Sequence, residues 1–199
     1  MHKPLLPVAL IAATMLALAG CAAPSPAPEP TRTPSADASA YCVASGGTVQ
    51  SRQPSYGTNN DQSTWVAFGE PIDVCRFQTL DDSDDSRIYI DLASLDSANP
   101  TLAALAYLAK APMPDAAGGN PATALCTSLG GASGYGTGAN GGGLVNLDDP
   151  IDVIITPCVF ADQSFIEEWG IAYYTEGTVR GADLSKLFRF DPQTAPAVF

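Results

Sequence analysis

The sequence predicts an α+β fold of two small disulfide-stapled repeats, each a short helix followed by antiparallel strands, packed as one body. Three observations carry that reading. Four cysteines fall into two pairs of nearly equal spacing, Cys42 with Cys75 and Cys126 with Cys158. Each pair sits among the same landmarks in the same order. Tyr41-Cys42-Val43-Ala44-Ser45-Gly46-Gly47 matches Leu125-Cys126-Thr127-Ser128-Leu129-Gly130-Gly131. Glu70-Pro71-Ile72-Asp73-Val74 matches Asp149-Pro150-Ile151-Asp152-Val153, and Cys75-Arg76-Phe77 matches Cys158-Val159-Phe160. Such ordered recurrence indicates duplication. Finally, helix-start and helix-stop residues surround the first cysteine of each pair, and β-like runs surround the second.

The elements follow in order. In the first copy Ser35 or Asp37 caps a short helix and Gly46 stops it; Tyr41 is its apolar anchor. The run Ile72 to Phe77 reads as a strand, as do Thr64 to Phe68 and Arg87 to Leu92, the last by its alternating Ile88, Ile90 and Leu92. Asn99-Pro100 opens a helix over Thr101 to Lys110 that Pro112 ends, with Leu102, Leu105 and Leu108 on one face. In the second copy Asn120 caps, Pro121 takes the first helical position, and Gly130 fits the left-handed residue past the end. Leu125 is the anchor. Ile151 to Phe160 reads as a strand, with four extra residues, Ile154 to Pro157, absorbed by extra length or a bulge. Phe165 to Tyr174 reads as a strand, and Asp183 to Phe190 as a short helix or turn. Gly134 to Gly143 holds six glycines and reads as a flexible loop. Each expected disulfide therefore joins a helix to a strand. Closing loops of this length contributes on the order of 3–4 kcal/mol, a large share of what a small core supplies.

The expected organisation is a leader over 1–20, a lipidated cysteine and tether over 21–38, repeats over 39–114 and 115–191, and a tail over 192–199. The leader has a basic start at His2 and Lys3, an apolar run from Leu5 to Leu18, and small residues Ala19 and Gly20 before Cys21. Its apolar run is short of the about 20 residues of a membrane span. Leu18-Ala19-Gly20-Cys21 resembles the lipobox of bacterial lipoproteins. That resemblance implies that Cys21 is acylated and becomes the first residue, leaving the chain anchored on the extracytoplasmic face. Two or more acyl chains make a stable anchor. Ala22 to Ala38 alternates proline with small residues and cannot form a core. Extended, it reaches roughly 50 Å at about 3.1 Å per residue.

The formal net charge is −12. Loss of Lys3 with the leader takes the exported chain one unit further, to −13. Such a surface repels nucleic acid and anionic lipid headgroups. It suits solubility, a cation, or a basic protein partner. The one histidine, His2, lies in the leader. The exported chain therefore has no Ser-His-Asp or Cys-His arrangement and no histidine-bearing zinc site. Oxidation outside the cell removes the thiolates as nucleophiles. No cofactor is expected.

The second copy also resembles a family of short bacterial lipoproteins, domain-of-unknown-function family 333, whose members often carry a haemolysin label. The resemblance rests on Asn120-Pro121-Ala122, Cys126, Gly130-Gly131, Cys158-Val159-Phe160 and Glu168-Trp169. The first copy keeps the cysteines, the glycines and C-x-F but lacks N-P-A and the tryptophan, with Ile88-Tyr89 in the equivalent strand. The resemblance implies an extracytoplasmic address and a disulfide. It implies no activity and supplies no catalytic residues.

Two candidate sites remain. Asp81, Asp82, Asp84 and Asp85 supply hard oxygens that suit calcium, yet lack the glycine and closing glutamate of an EF-hand loop. A solvated hairpin tip is the favoured reading. Glu167 and Glu168 precede Trp169 in an expected strand, on opposite faces, which prevents them acting as an acid/base pair. Trp169 reads as buried with surface charge beside it. Alternatively, Trp169 and Tyr173 share one strand face as an exposed aromatic patch for a glycan or an envelope protein. The favoured function is a membrane-anchored, non-catalytic binding or inhibitory module of the cell envelope, with its site in the second copy or at the seam. A carboxylate-dependent envelope hydrolase and a purely structural component are the other two readings.

Overall fold

The computed structural model describes residues 36–79, 85–115, 117–135 and 141–199. These belong to one compact unit. The first repeat runs α1 (Ala36–Ala44), β1 (Thr48–Tyr56), β2 (Val66–Ala67), β3 (Ile72–Gln78), β4 (Arg87–Asp91), α2 (Leu92–Asp96) and α3 (Leu102–Ala109). The second runs α4 (Pro121–Ser128), β5 (Ala132–Ser133), β6 (Gly142–Val145), β7 (Ile154–Ile155), β8 (Pro157–Val159), β9 (Phe165–Glu167) and α5 (Glu168–Thr175). Every strand pairing is antiparallel, in the order β5-β8-β9-β4-β3-β1-β6-β7, with β2 on the end of β1. Only Thr156 separates β7 from β8. The sheet therefore curls until its two ends meet in one continuous segment.

Both disulfides form as the spacing predicts, Cys42–Cys75 and Cys126–Cys158. Each ties the helix that opens a repeat to a strand of the sheet. The Gly-Gly pairs explain themselves in matching ways. Gly46 and Gly130 have φ of +87° and +73°, the left-handed conformation that closes a helix and that a side chain disfavours. Gly47 and Gly131 lie against the disulfides. A Cβ on Gly47 would sit 2.9 Å from Cys42 Sγ and closer still to Cys75 Sγ; on Gly131 it would sit 2.9 Å from Cys126 Sγ and closer still to Cys158 Sγ. The repeats meet at Ile90 opposite Ile166 and at Gln53 to Tyr56 opposite Gly142 to Val145. Acidic residues at matching strand ends, Asp91 and Glu167, cap α2 and α5.

The strands alternate between two cores. Cys75, Phe77, Ile88, Ile90 and Ile166 face the helices and disulfides. Val74, Tyr89, Leu144, Ile155 and Phe165 face the inside of the curl. α3 is buried nearly all round, most deeply at Ala103, Ala106 and Tyr107, while Leu102 and Leu108 are only partly covered. Of the three leucines on one face, Leu105 is buried, and Leu102 and Leu108 lie at the margin. Small alanines let the helix approach α5, where Tyr107 stacks on Tyr174 at 3.8 Å. Ser164 Oγ and Asp162 Oδ2 of the second repeat accept from Ala103 and Leu102 N–H, which completes the start of α3. Lys110, at φ +46°, ends the helix before Pro112.

Several expected elements change. β1, central in the sheet, is absent from the sequence reading. Phe165 to Tyr174 is not one strand: three residues pair, and Glu167 then caps α5. Arg87 to Leu92 likewise turns helical at Leu92, capped by Asp91. Thr64 to Phe68 keeps only Val66 and Ala67 as strand, after a 3-10 turn at Gln62–Thr64. Asp37 lies within the first turn of α1 rather than at its cap. Gly142 and Gly143, expected in a loop, are strand residues, pressed against Ser55 and Ile155 backbone where no side chain fits. In the second copy Asp149 to Val153 is a turn ahead of the strand, so the four extra residues shift its strand past the landmark that matches Ile72. The register places Ile155, not Ile151, in the position of Ile72: Leu144 opposes Ile155 as Arg52 opposes Ile72.

Candidate functional site: a cleft at the seam of the repeats

The inside of the curl is polar at one end. Arg52, fully buried on β1, donates to Asp149 Oδ2 at 2.5 Å, to Gln50 Oε1 at 2.9 and 3.1 Å, and to Asp152 C=O at 2.9 Å. Its guanidinium lies 4.7 Å over the Tyr89 ring. Asp149 also accepts from Ile151 and Asp152 N–H, forming the turn that precedes β7. Burial raises the Asp149 carboxyl, but those N–H groups, Gln50 and Arg52 outweigh it and hold the group below its usual range.

Asp152 extends this network outward. Arg87 on β4 grips both its oxygens, Nη2 to Oδ1 at 2.5 Å and Nε to Oδ2, and Tyr89 donates to Oδ2 at 2.9 Å. Burial raises the Asp152 carboxyl, yet the Arg87 and Tyr89 bonds prevail and keep it ionised. Burial and the charge of Asp152 push the Tyr89 hydroxyl well above its ordinary range, so it keeps its proton, donating to Asp152 while accepting from Arg52 Nη2 at 3.5 Å.

Beyond this pair opens a cavity of about 200 Å³. It is lined by Arg87 and Tyr89 of β4, by Asp152 and the segment Ile154 to Thr156, and by Glu167, Trp169 and Arg180. An adjoining cavity of about 300 Å³ shares Arg87 and Arg180 and adds Asp85, Ser86, Tyr173 and Thr178. The cleft therefore draws on both repeats. α5 turns two aromatic rings toward it. Trp169 and Tyr173, four residues apart, are 37% and 39% exposed, with centroids 5.8 Å apart. The Arg180 guanidinium lies 5.0 Å over the Tyr173 ring.

Glu167 is the buried acid of the cleft. Its oxygens accept from Trp169 N–H at 3.1 Å and Gly170 N–H at 2.8 Å. Arg180 approaches Oε2 to 4.0 Å. Burial pushes its carboxyl up to about 7, against the opposing pull of Arg180 and the two N–H groups. Glu168 points elsewhere: it is buried, accepts from Thr123 Oγ1 of α4 at 2.9 Å, and is raised by burial. Its Oε1 has no hydrogen-bond partner among the described residues.

The sequence expectation placed Trp169 inside and the glutamates on the surface. The structure reverses this, because a helix rather than a strand begins at Glu168. A spacing of four still puts Trp169 and Tyr173 on one face, now that of a helix. Glu167 and Glu168 diverge, as expected, though each is buried. Asp81, Asp82 and Asp84 lie outside the described residues. Asp85 accepts from Gln78 Nε2 at 3.3 Å. Among the described residues no cluster of three or more acidic, cysteine or histidine side chains is set to hold a metal, and none of the helices is long and apolar enough to cross a membrane. Arg52, Arg87, Asp149, Asp152 and Arg180 were not anticipated. Gly170, whose N–H Glu167 accepts, is pressed against the Ile88 side chain, where a Cβ would not fit. No protein-family model, curated protein or solved structure matches the chain.

Proposed function

We propose that this chain is a membrane-anchored extracytoplasmic lipoprotein whose stapled body binds a ligand in the seam cleft without transforming it. The observation that carries the reading is the convergence of Arg87, Arg180, Trp169 and Tyr173 on one concave surface of a strongly acidic chain. Pockets with an apolar wall and a few aimed polar groups are the usual binding sites of small molecules. The state of Asp152 supports binding over hydrolysis. A carboxylate gripped by an arginine fork and a tyrosine hydroxyl is a poor general base. The anchor belongs to the same proposal and rests on Leu18 to Cys21. Kinship with domain-of-unknown-function family 333 is part of it too, resting on the motif residues quoted above.

Thermal melting of the full chain in detergent, against cell-wall fragments, neutral and acidic glycans, lipids and calcium, tests the binding reading. A ligand at about a hundred times its Kd stabilises by about 2.7 kcal/mol. Trp169→Ala should abolish the shift. A shift that survives Trp169→Ala, or a flat screen, removes the cleft as the site. For the anchor, Cys21→Ala should eliminate palmitate labelling and release the protein from membranes.

A further inference from the structure

We propose that the seam cleft binds a sugar acid, with Arg180 gripping its carboxylate and Trp169 and Tyr173 stacking on its ring. This rests on the cleft being a binding site and names its ligand class.

The assignment begins with the arginines. The Arg87 fork is fully engaged by Asp152. The Arg180 side chain makes no hydrogen bond to any described residue. Its nearest acidic atom is Glu167 Oε2, 4.0 Å away, on a carboxyl already occupied by two backbone N–H groups. A planar guanidinium with unused paired donors, at the mouth of two joined cavities, matches a carboxylate in two parallel hydrogen bonds. Tyr173 beneath it restricts its motion.

The surroundings choose among anions. Asp85 and Asp152 line the same cavities, and the chain as a whole is acidic. A multiply charged phosphate meets repulsion there, whereas one carboxylate is balanced by one guanidinium whose N–H groups make no hydrogen bond to a described residue. The tilted, exposed rings of Trp169 and Tyr173 offer an apolar wall beside a polar one, which suits the two faces of a sugar. Ser86, Thr156 and Thr178 add hydroxyl-bearing residues to the lining of the two cavities, and ring hydroxyls need polar partners.

The test compares glucuronate with glucose, rings that differ by the carboxylate, titrated against the full chain in detergent by calorimetry. Glucuronate should saturate, and glucose should bind about tenfold more weakly or worse, since a charge-assisted pair is lost. Arg180→Gln should weaken glucuronate at least about tenfold. Arg180→Lys, which keeps the charge but not the fork, should weaken it similarly. Arg189→Gln removes an equal charge from an exposed pair with Asp96 and should change nothing. Melting curves of each variant report that it is folded. Equal binding of glucose and glucuronate, no binding of glucuronate, or full binding by Arg180→Gln overturns the assignment. So does Arg180-dependent binding of inorganic phosphate in its place. If a neutral glycan saturates and Trp169→Ala abolishes it, the carboxylate assignment falls and the cleft reading stands. If no ligand responds to Trp169→Ala, both fall.

Discussion

Replacing Gly47 by alanine should be costly because of the Cys42–Cys75 disulfide and for no other large reason. The new Cβ would stand 2.9 Å from Cys42 Sγ, nearer still to Cys75 Sγ, and 3.1 Å from Cys42 C=O. Neither sulfur can swing away, since each is bonded to the other and both cysteines are fully buried. Overpacking of this kind costs about 1–3 kcal/mol. Gly46→Ala is the contrast. A Cβ there meets nothing within 4 Å, but φ is +87°, and a side chain in that region costs about 1–2 kcal/mol. Urea denaturation of the full chain in detergent measures both. With a slope of about 1–3 kcal/mol/M, Gly47→Ala should lower the midpoint by about 1 M. The decisive comparison repeats each change in a Cys42→Ala/Cys75→Ala background. Gly47→Ala should then lose at least about 1 kcal/mol of its cost, a coupling typical of residues in contact. Gly46→Ala should cost the same in both backgrounds. Equal Gly47→Ala costs with and without the disulfide would refute the reasoning. Gly131→Ala with the Cys126–Cys158 pair should behave in parallel.

The other expectations follow from burial and charge. Folded Glu167 titrates near 7 against 4.5 for an exposed carboxyl. Its folded form therefore keeps a proton that the unfolded chain has released, and stability present below about pH 4.5 declines as pH rises toward 7. The decline from this group is about 3 kcal/mol. Glu167→Gln should flatten it, which melting curves from pH 4 to 8 will show; an unchanged slope contradicts the burial argument. Arg52→Ala leaves buried Asp149 with only the longer ion pair to Arg76, Nη1 to Oδ2 at 3.5 Å, and should cost about 3 kcal/mol. Arg52→Met with Asp149→Asn should cost much less, and equal losses in urea unfolding would exclude the lost Arg52–Asp149 pairing as the cause. Breaking the second staple by Cys126→Ala/Cys158→Ala should remove about 3–4 kcal/mol, read as a lowered midpoint; a neutral result would mean the unfolded chain gains nothing from the lost constraint.

The staples and their glycines were legible because each is local and occurs twice. Asn120 and Pro121 announce α4 by capping chemistry that needs no tertiary context. β1 was hidden for a physical reason. Thr48 to Tyr56 is polar and contains Pro54, features that argue against a central strand. Its pairing with β3 and β6 succeeds because Gln50 and Arg52 find polar partners inside the curl. Those partners, Asp149 and Asp152, lie about a hundred residues away, and no local pattern links them. The α5 error has the same origin. Phe165 to Tyr174 is rich in aromatic and β-branched residues, yet Glu167 can accept the N–H groups of Trp169 and Gly170, and that cap starts a helix. The aromatic pair survived the error because a spacing of four places residues together on a strand face and on a helix face alike. Arg180 lies in the irregular segment after α5, and only the folded chain brings it over Tyr173.

The central claim is that the seam cleft is where this protein binds. Its two tryptophans allow a direct measurement. Each gives one indole N–H resonance in an ¹⁵N-labelled full chain in detergent. Trp169 lines the cleft, whereas Trp65 lies outside it with its indole N–H bonded to Asn60 C=O at 3.0 Å. On titration with a digest of cell-envelope glycans, the account predicts a saturable shift of the Trp169 indole and a stationary Trp65 indole. A saturable shift of Trp65 alone, or no shift of Trp169 at any concentration, would contradict it.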